Sequence, residues 1–326
     1  MTQDDVIHRF RAMASEVTVR VIDPIRDPSD AITQVEATFR EIERTCSRFD
    51  ATSDLMLANS HPAMWTQVAP LCLSTIELAH SAYQRTNGAF DPRVLRTLGA
   101  MGYDRSLGFA QGDVQTTAVE LPEAWSLRAW TPEFDRAGSR VRLGEDPIDL
   151  GGIGKGYAVR LGIEALAGLG RAALVEAGGD LATRGDGPAR AGGEARAWRA
   201  SVEDPRRAGT DVSSTPIAVL DVSDAAVATS STKLRRWRAG DRDVHHLIDP
   251  RTGQPAASGL LSVTVIDHDP AWAEVWTKAA FMQGAQDIAA FAEDTGLAAL
   301  WVTSAGALGS SESMRGRILW EAPDAC

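Results

Sequence analysis

The segment Ile148-Asp149-Leu150-Gly151-Gly152-Ile153-Gly154-Lys155-Gly156-Tyr157-Ala158 holds the densest glycine pattern of the chain and sets the reading of its architecture. Ile148-Asp149-Leu150 reads as a short buried strand. A glycine-rich turn follows, and Val159, Ile163 and Leu166 then recur at helical spacing. Strand, glycine turn and helix is a design for holding phosphate. Glycine lets the backbone approach a ligand, and a helix start offers unpaired N–H groups. Two familiar forms are excluded by the spacing. The dinucleotide fingerprint needs G-x-G-x-x-G, whereas here the order is Gly152-x-Gly154-x-Gly156. A Walker loop needs Ser or Thr after the lysine, whereas Lys155 precedes Gly156. A tight turn without a ligand remains the alternative.

Working outward, Ala172 to Val175 reads as the next strand and runs into Ala177-Gly178-Gly179-Asp180. Asp180 there either accepts N–H bonds in an Asx-type turn or binds a ligand group. On the N-terminal side, Arg9 to Asp23 alternates around Val17, Val19 and Val21 and reads as one strand. A helix then opens at Pro28-Ser29-Asp30 with Ser29 as N-cap, carrying Ile32, Val35, Phe39 and Ile42. A second amphipathic helix over 71–86 follows Pro70 and stops at Asn87-Gly88. Residues 107–140 read as short strands and loops, and the Gly/Arg/Ser-rich stretches 184–196 and 205–215 as exposed loops. Beyond them, 262–266 and 298–302 read as strands, and 270–282 and 287–293 as helices. No βαβ rhythm runs through these elements, so the class is α+β rather than a doubly wound sheet.

The 326 residues suit a single domain or two intimate subdomains. A formal net charge of −11 argues against a nucleic-acid footprint, so an anionic small molecule would have to be met by local devices. No apolar run is long enough to span a membrane. The acidic start lacks an apolar core segment and the three cysteines are too few for a disulfide framework, so a cytoplasmic setting is expected.

Two further clusters carry candidate chemistry. In His245-His246-Leu247-Ile248-Asp249-Pro250-Arg251-Thr252-Gly253 the adjacent histidines would face opposite sides of a strand, and one of them is a candidate general base. Glu274 and Lys278 lie four apart on one helix face in the favourable ion-pair order.

Taken in order, these clusters resemble the ApbE family, the FAD:protein FMN transferases. The match begins at Phe10-Arg11-Ala12-Met13-Ala14-Ser15, where the family has Met-Gly-Thr. It continues through Ser47-Arg48-Phe49-Asp50, Gly88-Ala89-Phe90-Asp91-Pro92, residues 148–158 and Ala177-Gly178-Gly179-Asp180. It closes on Val227-Ala228-Thr229-Ser230 and His246-Leu247-Ile248-Asp249-Pro250. The resemblance implies a T-fold-like α+β domain that binds FAD, with Mg²⁺ beside the pyrophosphate. A Thr or Ser hydroxyl of an acceptor protein attacks the FMN phosphorus and AMP leaves. It implies flavin-side contacts from Met13, Phe49, Ala89, Phe90, Asp91, Gly151, Tyr157 and Ile248; Asp180 joins them on its own position, after a glycine turn where a carboxylate can accept ligand hydroxyl or amine hydrogens. The Gly154 carbonyl is implied as a metal ligand and His246 as the base. Where the family's metal helix carries Asp and Thr four apart, this chain has Glu274 and Lys278. Lysine offers no acceptor. Either Thr277 turns in to complete the coordination, or the Lys278 ammonium fills the metal's place. An FAD-binding relative with weak or no transfer is the alternative function.

Overall fold

Eight strands build the main sheet, and they occur in it in chain order: Val6–Ala12, Ser15–Pro24, Gly170–Ala177, Asp180–Arg184, Ala226–Ser231, Leu260–Asp267, Ala298–Thr303 and Leu308–Ser310. The structure, a computed structural model, describes residues 5–109, 114–117, 128–188, 197–206 and 216–322. Helices and antiparallel strands are mixed, so the class is α+β as the sequence predicts. The chain divides into two compact units. The first comprises Met1–Arg40, Lys155–Ser230 and Gly259–Cys326, and the second Glu41–Gly154 and Ser231–Ser258.

In the first unit, Val17, Val19 and Val21 alternate inward along Ser15–Pro24 and are fully buried. Ile32, Val35 and Phe39 of the helix Ser29–Cys46 are buried as well, and the Phe10 ring meets Phe39 edge-on at 5.6 Å. The helix Gly154–Ala165 lies against both layers, because a Cβ on Gly162 would stand 3.2 Å from Val35 and 3.3 Å from Val175. A three-stranded sheet (Ile318–Glu321, Ala218–Asp221, Arg199–Val202) adds a second apolar cluster around Trp198, Leu220 and Leu300.

The second unit holds the helices Asp54–Ser60, Pro70–Arg85 and Leu95–Ala100 and several short sheets. The helix Pro70–Arg85 ends as its sequence predicts. Asn87 and Gly88 take φ of 50° and 79°, and the Gly88 N–H is donated back to the Tyr83 carbonyl at 2.8 Å. Leu98, Met101, Tyr103, Trp237, Val244 and Ile248 form an apolar cluster in this unit.

Three local expectations are corrected. Arg9 to Asp23 is a hairpin and not one strand: Ala12 faces Ser15 across a two-residue turn in which Met13 and Ala14 have φ of 52° and 58°. Such a turn needs positive φ at both positions, yet neither residue is the glycine, Asn or Asp that signals it. Ile148–Leu150 is no ladder strand either. The Asn59 side chain bonds the Ile148 N–H and carbonyl at 2.9 and 2.8 Å, and the Asp149 N–H goes to the Pro92 carbonyl at 2.7 Å. Ser29 lies inside its helix and is not the cap. Its N–H and hydroxyl are donated to Asp27 Oδ1 at 3.0 and 2.6 Å. Of the expected loops at 184–196 and 205–215, residues 189–196 and 207–215 lie outside the described residues.

Candidate active site

In the first unit the antiparallel register puts two tight turns at one end of the sheet, Met13-Ala14 and Gly178-Gly179. They touch: a Cβ on Gly178 would stand 2.5 Å from the Ser15 hydroxyl. Asp180 starts the next strand, and its Oδ1 accepts the Thr229 N–H at 3.2 Å. Asp180 Oδ2 pairs with the Lys155 ammonium. Lys155 also stands 3.5 Å from Glu274 Oε1, on the far helix Pro270–Phe281. The start of that helix and the start of Gly154–Ala165 come together at Gly156, whose N–H is donated to Glu274 Oε2 at 2.8 Å. Lys278 closes the group, with Nζ 3.4 Å from Glu274 Oε1 and 3.2 Å from the Glu274 carbonyl. Two ammonium groups therefore meet two carboxylates around one helix start.

Glu274 is the hub, and its side chain is only 3% exposed. Burial alone would raise its carboxyl, but the Lys155 and Lys278 charges and the Gly156 N–H hold it below the usual carboxylate range. Burial draws the Lys278 ammonium below the usual lysine range, with the Glu274 charge opposing. Thr277 is fully buried. Its hydroxyl is donated to the Glu274 carbonyl at 2.8 Å and lies 2.7 Å from the Ser230 hydroxyl. Tyr157, half-buried, has the Arg160 guanidinium 5.5 Å over its ring, and Arg160 is held by Asp269, the N-cap of Pro270–Phe281.

These residues do not fit a Mg²⁺ ion. Magnesium asks for near-octahedral oxygen ligands at about 2.0–2.1 Å. Both Glu274 oxygens already take donors, the Thr277 hydroxyl is committed inside the fold, and Lys278 offers only N–H. Among the described residues no three His, Cys, Asp or Glu side chains group as a metal site. Gly154 opens its helix with the N–H donated to the Leu150 carbonyl at 2.9 Å.

In the second unit the Phe49 ring is 42% exposed, unusual for an aromatic of its size, and rests on the Arg48 guanidinium at 4.2 Å. The same guanidinium lies 4.1 Å from the Tyr103 ring, and its Nε is 3.6 Å from Asp149 Oδ1. Gly151 is exposed, its N–H on Asp149 Oδ1 at 3.2 Å. Phe90 is buried, with its N–H on the Thr86 hydroxyl at 3.0 Å, beside half-buried Ala89. The Asp91 carboxylate takes the Arg93 N–H, Nε and NH2 groups at 3.0, 3.0 and 2.7 Å, and its side chain is 1% exposed. Ile248 belongs to the apolar cluster. His246 is half-buried just past the strand Arg242–His245, its N–H on the Arg235 carbonyl at 3.2 Å.

Each unit thus gathers part of the expected set: Met13, Tyr157, Asp180, Glu274 and Thr277 in the first, Phe49, Ala89, Phe90, Asp91, Gly151, Gly154, His246 and Ile248 in the second. Sequence reasoning missed two cations. Lys155 was legible only as a lysine stranded in a glycine turn, and Arg48 only as a cation next to an aromatic.

The match to known proteins spans the same elements. Residues 13–301 match the model of the ApbE family, and the chain belongs to that family. It is 32% identical over 76% of its length to an FAD:protein FMN transferase of Chlamydia trachomatis, of which it covers 73%. It is 29% identical over 49% of its length to one of Klebsiella pneumoniae, of which it spans less than half, 43%. The crystal structure of the ApbE protein of Thermotoga maritima superposes with a TM-score of 0.78 at 28% identity, over 96% of this chain and 98% of that one.

Proposed function

We propose that this protein transfers FMN from FAD to a Thr or Ser hydroxyl of an acceptor protein, releasing AMP. The observation that carries the reading is the ammonium pair Lys155 and Lys278 gathered with Asp180 at the start of Gly154–Ala165, in a chain of this family. In this reading the chain acts over 1–326 as one flavin transferase domain, of which residues 13–301 match the family model. No described helix is long and apolar enough to cross a membrane. A cytoplasmic setting belongs to the same proposal, supported by the sequence's three cysteines, too few for a disulfide framework.

The acceptor hydroxyl oxygen forms a bond to the FMN phosphorus while the bond from that phosphorus to the bridging oxygen breaks. The bridging oxygen leaves on AMP with the electron pair. His246 takes the hydroxyl proton in this scheme. Lys155 and Lys278 offset the charge that grows on the phosphate oxygens, and the helix start adds oriented N–H dipoles. Phe49 and Tyr157 offer ring surface, and Met13, Ala89, Phe90, Gly151 and Ile248 complete the flavin side. The acceptor is a second protein, which presents the hydroxyl.

The test is purified protein with FAD and a flavin-acceptor domain, read as flavin fluorescence in a denaturing gel and as AMP release. A fluorescent acceptor band with matching AMP is expected. AMP and free FMN without a labelled band would mean hydrolysis instead, and neither product would end the proposal.

A further inference from the structure

We infer that Lys278 is the resident cation of this site: its ammonium sits on Glu274 in place of a divalent ion, and FAD is bound without one. The inference rests on the proposed reading of the site as the place of the FAD diphosphate. Three observations carry it. The Lys278 Nζ is 3.4 Å from Glu274 Oε1 and 3.2 Å from the Glu274 carbonyl, so it covers both oxygens on that side of the residue. The other carboxylate oxygen caps the helix start through the Gly156 N–H, at 2.8 Å. A second ammonium, Lys155, stands 3.5 Å from the same Oε1 and is tied to Asp180, so an incoming divalent cation meets two positive charges.

The exchange has a chemical logic. An ammonium donates hydrogen bonds to phosphate oxygens and brings one charge that needs no loading from solution. It lacks the octahedral template by which Mg²⁺ orients a diphosphate. The site therefore keeps electrostatic affinity for the nucleotide and loses its dependence on free metal.

The test reads Mn²⁺ directly, by electron paramagnetic resonance, on protein alone and with FAD, next to FAD affinity with Mg²⁺ or with EDTA. The parent is expected to bind no Mn²⁺ at this site and to keep its FAD affinity within about twofold in EDTA. Lys278→Thr is expected to gain a Mn²⁺ ion. Its FAD affinity in EDTA should drop about tenfold or more and recover with Mg²⁺. Lys278→Met should show the loss without the recovery, and circular dichroism accompanies both variants so that a misfolded one is set aside for the other. Mn²⁺ held by the parent, a tenfold loss of parent affinity in EDTA, or a Lys278→Thr variant that still takes no Mn²⁺ would each overturn the inference. If the parent fails to bind FAD under every condition, the functional reading falls, and the Mn²⁺ comparison on protein alone still decides the role of Lys278.

Discussion

Gly156 and Pro270 approach so closely that a Cβ on the glycine would stand 2.5 Å from the proline carbonyl oxygen and 2.8 Å from the Ala271 Cα. The glycine is required because two helix starts meet there backbone to backbone. That approach is what lets Glu274, one turn along its helix, reach the Gly156 N–H. The glycine-rich turn thus serves packing and charge placement together, at a position where the sequence alone suggested room for a phosphate.

Gly156→Ala should therefore cost about 1–3 kcal/mol of stability, the usual range for overpacking against unyielding atoms. Chemical denaturation with circular dichroism checks it. A variant as stable as the parent would mean that the two helix starts separate at no cost.

Asp91 is expected to act through stability. Its carboxylate and the Arg93 guanidinium form a buried pair, with side chains 1% and 2% exposed, and Arg93 also donates to the Arg128 carbonyl at 2.8 Å. Asp91→Ala leaves the buried Arg93 cation with only the longer pair to Asp146, at 4.0 Å, and should cost about 3–5 kcal/mol, whereas the double variant Asp91→Ala/Arg93→Met should recover much of that loss. Equal losses in the single and double variants would show that the pair is not coupled.

Asp91 also marks where sequence reasoning reaches its limit. Its place after a glycine turn was legible, but its partner two residues on reads as an ordinary surface arginine until the burial is known. The helix Pro70–Arg85 was legible because proline and Asn-Gly punctuate it. The common face of Glu274 and Lys278 followed from helical spacing alone. Ile148–Leu150 was misread because its backbone partners, Asn59 and Pro92, lie far away in sequence and belong to no ladder. Lys155 was missed for the same reason: Asp180 and Glu274 reach it only through the fold.

The hairpin turn gives a prediction of opposite sign. Met13 and Ala14 both hold positive φ without the glycine that would make it easy. Ala14→Gly should raise stability by about 1 kcal/mol by relieving that conformation, since a left-handed non-glycine residue costs of order 1–2 kcal/mol and glycine adds back some chain entropy. Urea denaturation measures it. A drop in stability would mean that the Ala14 methyl packs usefully and that its backbone is not strained.

The last expectation concerns acid. His245 receives the Leu247 N–H on Nδ1 at 3.3 Å and places Nε2 3.2 Å from the Ala256 carbonyl. That pattern selects the neutral ring with the proton on Nε2, because a protonated Nδ1 would face a donor. Burial lowers the His245 pKa below its ordinary 6.5, and the Arg236 charge adds to the effect against the Ala256 bond. His80, packed edge-on against Trp130 at 5.4 Å, is lowered by burial as well. The sign follows from proton counting. Below about pH 6.5 the unfolded chain binds protons that the folded histidines refuse, so stability falls as pH drops through that window and is fully present above it. Urea denaturation between about pH 7.5 and 5.5 should show this loss, above the range in which carboxylates titrate. His245→Gln keeps a side-chain donor near the Ala256 carbonyl and removes the titration, so its acid limb should be flatter than the parent's. A His245→Gln variant that loses stability as steeply as the parent would move the acid sensitivity away from His245 and onto His80 or another group.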